Sequence, residues 1–96
     1  MYKACSSVCA DKADRYFVSL CNHFARKVKV RRSDNLGEVF FAMGTCKIEL
    51  LDNTMSFLCE ADDRESLQTV KYIIDSHVTR FGEIAETDLD WSQHCP

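Results

Sequence analysis

The chain has 96 residues, 46% of them hydrophobic and 28% charged, with three glycines, one proline and a formal net charge of -3. That length sets one domain with enough interior to fold without covalent staples, and the composition excludes a disordered, collagenous or low-complexity chain. No stretch approaches the roughly 20 apolar residues of a membrane helix, and the amino terminus lacks the apolar core of a signal peptide. The sequence therefore reads as cytoplasmic, with most of its six cysteines reduced.

In chain order, Tyr2 to Cys9 ends at a turn on Asp11 and reads as an edge strand or a loose arm. Ala13 to Phe24 carries the clearest period. Ala13, Tyr16, Phe17, Leu20, Cys21 and Phe24 follow spacings of three and four and form one stripe of a helix that runs to about Arg26. Asp11 is the expected cap, and Asp14 complements the positive end of the helix dipole. From Lys27 the period changes to two. Lys27, Lys29 and Arg31 alternate with Val28 and Val30, as in a half-buried strand with a basic outer face.

Ser33 to Gly37 reads as a turn, Glu38 to Met43 as a second strand, Gly44 as a bend and Thr45 to Leu51 as a third strand. Asp52-Asn53 joins it through a tight hairpin to a fourth, Thr54 to Ala61. Asp62 with Glu65 three residues on is a capping-box pattern. It opens a helix to Phe81, which Gly82 ends, with Leu67, Val70, Ile74, His77, Val78 and Phe81 on its apolar side. Asp88 to Ser92 reads as a last strand, and 93–96 as a flexible tail. The order is strand, helix, four strands, helix, strand. It predicts a single α+β domain over 1–96, a two-layer sandwich of about five antiparallel strands with two helices on one face.

The run ADRYFVSLCNHFARK, then GTCKIEL, the Asp52-Asn53 hairpin, the EADD helix start and HVTRFGE with Trp91 near the end resemble a small bacterial domain of unknown function, about 100 residues long. The resemblance covers roughly Lys12 to Ser92. Such domains occur alone and, in some proteins, beside siderophore-interacting flavin reductases. The resemblance implies a layout similar to one half of the TATA-binding protein, and it places Cys21, His23, Cys46, His77, Arg80 and Trp91 on the family pattern. Cys5, Cys9, Cys59 and Cys95 look particular to this chain. It implies no established activity. Any role beside iron or siderophore handling, or with a protein partner there, comes from those neighbours alone.

Four chemistries compete. Cys21, His23, Cys46 and His77 are thiol and imidazole groups of the kind zinc or iron accepts. Their spacing is poor, because Cys21 and His23 lie about 200° apart on one helix; small buried thiols and hydrogen-bonded histidines explain them better, and a metal or small-ligand binder is the second reading. A catalytic thiol would need a histidine within reach and an open, electropositive site, which a cysteine under two helices lacks, so no residue is assigned as catalytic. The basic segment from Arg26 to Arg32, with Lys27, Lys29 and Arg31 at its centre, suggests an anion or nucleic acid. The net charge and the acidic runs at Glu60 to Glu65 and Glu83 to Asp90 oppose a polyanion. The reading favoured is an interaction module that binds no cofactor. In it Phe40, Ala42, Leu51 and Leu58 form an apolar patch on the open face of the sheet and join two copies as a dimer.

Overall fold

The structure, a computed structural model, describes residues 1–81 and 89–95. Its elements are β1 (Tyr2–Cys9), α1 (Ala13–Ala25), β2 (Lys29–Arg32), β3 (Leu36–Phe40), β4 (Gly44–Leu51), β5 (Thr54–Ala61) and α2 (Arg64–Val78). The five strands form one sheet in the order β1-β5-β4-β3-β2, and every neighbouring pair is antiparallel. The expected α+β architecture is the observed one. No helix among the described residues is long and apolar enough to cross a membrane.

Alternation along the strands decides which face the helices cover. Ala4 and Val8 of β1, Met55, Phe57, Cys59 and Ala61 of β5, Cys46 and Ile48 of β4, and Val39 of β3 are buried on one side. There they meet Ala13, Phe17, Leu20, Cys21 and Phe24 of α1 and Leu67, Val70, Ile74 and Val78 of α2. Each large side chain so buried stabilises the fold by about 1.5–3 kcal/mol before chain entropy is counted. Tyr16, the remaining member of the predicted α1 stripe, is half-buried and stacks on Phe81 at 4.4 Å between ring centroids.

The β4–β5 hairpin closes on Asp52-Asn53 as expected, with Leu51 opposite Thr54 and Asp52 at φ 55 in the left-handed region that Asp tolerates.

Local boundaries differ from expectation where tertiary contacts intervene. The N-cap of α1 is Lys12 rather than Asp11, because a turn from Ala13 N to Ala10 O delays the helix by one residue. α2 is capped by Asp63 rather than Asp62. The Ser66 amide donates to the Asp63 carboxylate at 2.7 Å, and that bond holds the carboxyl below its usual range. α2 ends at Val78 with Thr79 as C-cap, short of Phe81, which turns back to stack on Tyr16. The stop expected at Gly82 lies outside the described residues.

β3 starts at Leu36, inside the stretch expected to be a turn, and stops at Phe40, short of Met43. Gly37 pairs across from Ile48, and a Cβ on it would sit 2.7 Å from the Cys21 sulfur. This glycine lets α1 approach the sheet; it does not bend the chain. The reversal comes later, where Phe41 N donates to Gly44 O at 2.8 Å.

The expected last strand is not formed in its described part. Leu89 is buried, Trp91 is half-buried with its ring centroid 6.5 Å from that of Phe57, and only Ser92 pairs, through an isolated antiparallel bridge to Cys5. Asp88 lies outside the described residues. The Trp91 indole N–H donates to the Asp75 carboxylate at 3.3 Å, which supplies the acceptor its burial requires.

Candidate functional site

The last turns of α1 and α2 meet, and each contributes a histidine there, His23 and His77. Their Nε2 atoms are 3.1 Å apart, and the rings are tilted by 51°. The proton positions follow from the neighbours. His77 Nδ1 lies 2.6 Å from the Ile73 carbonyl oxygen, which can only accept, so Nδ1 carries the proton and Nε2 presents a lone pair. Closing the contact between the rings then requires His23 to donate from its own Nε2. Phe24 flanks the pair, its ring centroid 4.9 Å from that of His77.

Burial first, then the positive surroundings of His77, Lys27, Arg26 and Arg80, push the His23 pKa below its ordinary value. His23 is therefore neutral at pH 7. Below about pH 6.5 the unfolded chain takes up a proton at this position that the folded chain resists, so the linked stability is present above that pH and is lost on acidification. The melting temperature should fall between pH 7.5 and 5, and His23→Gln should flatten that dependence. An unchanged pH profile in the variant would contradict the assignment.

The predicted four-residue metal set is not assembled at one point. Among the described residues no group of three or more His, Cys, Asp or Glu side chains is placed to hold a metal ion. His23 and His77 converge, but Cys21 and Cys46 lie buried in the core on the sheet side. Burial pushes the Cys21 thiol up. The Cys46 thiol is pushed up further, by burial and by its hydrogen-bonded cross-strand neighbour Cys59. Such thiols are neither nucleophiles nor ready metal ligands at neutral pH.

The basic segment also divides. Arg26 and Lys27 lie beside His23. Lys29 sits over the Phe40 ring at 5.8 Å and Arg31 pairs across from Glu38, whereas Arg32 reaches the Phe17 ring at 5.7 Å. The charges therefore point to three places instead of forming one track for a polyanion.

Of the four predicted interface residues, Phe40 and Leu58 are half-buried on the open face of the sheet. Leu51 is 64% exposed at the β4–β5 hairpin, and Ala42 is exposed in the β3–β4 turn. Lys47 lies across from Leu58 and Thr45 across from Phe40, so polar side chains of β4 separate these two.

Sequence reasoning missed the symmetry of the histidine site. His23-Phe24-Ala25-Arg26 closes α1, and His77-Val78-Thr79-Arg80 closes α2, the same His-x-x-Arg pattern at both helix ends. The amide of each arginine donates to its histidine's carbonyl at 3.3 Å. Nothing in either local pattern reveals that the two ends meet.

An antiparallel sheet under two helices, with paired imidazoles at the helix ends, is the class of protein defined by this geometry. The chain belongs to the family described as an uncharacterized protein conserved in bacteria (DUF2218), which it matches over residues 5–92. It is similar in fold to the NMR structure of PA4090 from Pseudomonas aeruginosa, with a TM-score of 0.78 and 22% sequence identity over 96% of each chain. No curated protein matches the sequence.

Proposed function

We propose that this domain is a small binding module whose ligand is a transition-metal ion carried by an anionic chelator. The observation that supports this reading is the convergence of the His23 and His77 Nε2 atoms at 3.1 Å. Two imidazole nitrogens bound to one tetrahedral ion at about 2.05 Å stand about 3.3 Å apart, close to the separation found here, and the ion would take the place of the His23 Nε2 proton, which shifts to Nδ1 of that ring. The Nδ1–H of His77 held by a backbone carbonyl is the orienting bond that metal-binding histidines generally make. The negative ends of two helix dipoles favour a cation at the same point.

Two protein ligands leave coordination positions for another molecule. Arg26, Lys27 and Arg80, the groups that lower the His23 pKa, favour an anionic one. His23, without His77, also borders a groove of about 730 Å³ along the outer side of α1, where Arg15, Asn22 and Arg26 stand with Asp14 and Asp34. Carboxylate, phosphate, hydroxamate and catecholate complexes of zinc or iron have this chemistry. A role accessory to iron or siderophore handling is the finer form of the proposal.

The test is titration of the purified chain with Zn²⁺, Ni²⁺ and ferric citrate, followed by calorimetry and native mass spectrometry. One ion or complex per chain is the expected result. No saturable binding of any of the three would overturn the reading.

A second reading places a copy of the same chain on the open sheet face, supported by the 64% exposure of Leu51 and the apolar surface of Phe40 and Leu58. Phe40→Glu or Leu58→Glu should convert a dimer to a folded monomer in light scattering coupled to gel filtration. An unchanged mass would remove this face as the interface.

A further inference from the structure

The two ends of the described chain meet at β1. Cys5 N donates to Ser92 O and Ser92 N donates to Cys5 O, each at 2.8 Å. These two bonds form the isolated bridge beside the strand. Two thiols converge on it. The Cys5 sulfur lies 3.6 Å from Ser92 O and 3.7 Å from the carbonyl oxygen of His94, the residue before Cys95. The Cys95 sulfur lies 3.7 Å from the same Ser92 O. Both are half-buried free thiols that line a groove on the open face of the sheet, with Ser7, Lys47 and Leu58 nearby. Cys21, Cys46 and Cys59 are enclosed in the core, and Cys9 is engaged with the Thr54 hydroxyl at 3.3 Å.

We infer that Cys5 and Cys95 form a modification site, a dithiol that a low-molecular-weight disulfide oxidises to an intramolecular bridge locking the carboxyl-terminal segment onto β1. One protein thiol loses its proton and attacks the small disulfide. The bond of that disulfide breaks, one small thiolate leaves, and a mixed disulfide remains on the protein. The second protein thiol then loses its proton and attacks the protein sulfur of the mixed disulfide, releasing the second small thiolate. The protein gives up two electrons, and its two protons end on the two small thiols.

The Cys95 thiol is pushed up to about 11, by burial first and then by Cys5, with Lys3 acting in the opposite direction. A thiol as weakly acidic as Cys95 attacks slowly at neutral pH. A disulfide whose Cys95 thiolate is so poor a leaving group also resists reduction, which makes the site a lock and not a fast sensor. Its place on the side of the sheet away from the helices keeps it independent of the histidine site.

The experiment is incubation of the full chain with oxidised glutathione at pH 8, alkylation of free thiols, and peptide mapping without reduction. The expected main product is a peptide linking Cys5 to Cys95, lighter by two hydrogens than the dithiol form, in a protein whose melting temperature rises by at least about 10 °C. Cys95→Ser should leave a glutathione adduct on Cys5 with no such rise, while its circular dichroism matches the parent. Separate glutathione adducts on Cys5 and Cys95 at full conversion, or bridges to Cys9 or to the core cysteines as the main product, would overturn the inference.

Discussion

If the chain binds Zn²⁺ or Ni²⁺ as proposed, His77→Ala should lower the affinity by at least about 100-fold, and His23→Ala should do the same. Even loss of a group that only orients a ligand costs 10–100-fold, so loss of one of two ligands should cost no less. The variants separate this site from the four-residue set suggested by the sequence. Cys21→Ser and Cys46→Ser change groups buried on the sheet side of α1 and under the helices, and should leave the affinity unaltered once folding is verified. Arg26→Gln with Arg80→Gln divides the proposal further. Removing two positive charges should strengthen binding of the bare ion and weaken binding of ferric citrate. Binding should also weaken as pH falls and protons compete with the ion. For His23 the competition begins below its ordinary value, because its pKa is depressed. Equal affinity in the parent and both alanine variants would end the metal reading.

Gly44→Ala destabilises the fold by about 2–3 kcal/mol, a fall in melting temperature of roughly 10–20 °C for a domain of this size. A Cβ at this position would collide with the Glu60 carbonyl oxygen on the neighbouring strand. It would also stand 3.1 Å from both Ala61 Cβ and Val70 Cγ2 of α2. Backbone on one side and a fully buried valine on the other leave no flexible group to yield. Gly37→Ala meets a side chain instead, the Cys21 sulfur at 2.7 Å, so its cost should fall when Cys21→Ala is added, whereas Gly44→Ala has no comparable partner to trim. Urea melts of these variants measure the difference directly. A Gly44→Ala loss under about 0.5 kcal/mol would show that β4 and β5 can separate at this end without penalty.

These glycines show why sequence punctuation misleads at particular places. Gly37 and Gly44 read as turn and bend residues because glycine commonly supplies conformational freedom, yet neither has a positive φ. Both are required by the closeness of a helix or a strand that lies far away in sequence. The one-residue shifts of the caps to Lys12 and Asp63 have a related origin, since several adjacent polar residues can cap and hydrogen bonds in the folded chain choose among them.

What the sequence determined by itself is the local order. A period of 3.6 residues places Phe17, Leu20, Cys21 and Phe24 on one side of α1, and a period of two places Cys46 and Ile48 or Met55, Phe57 and Cys59 on one side of their strands. These periods arise from backbone geometry within a few residues, so they survive in the bare sequence and carry the fold class with them. Only the tertiary structure decided the long-range pairings on which the two proposed sites rest. His23 meets His77 across 54 positions, Cys5 meets the Ser92–Cys95 segment across nearly the whole chain, and Cys21 and Cys46 are drawn away from the histidines into the core. The sheet order and the approach of two helix ends set those distances, and no local period encodes them.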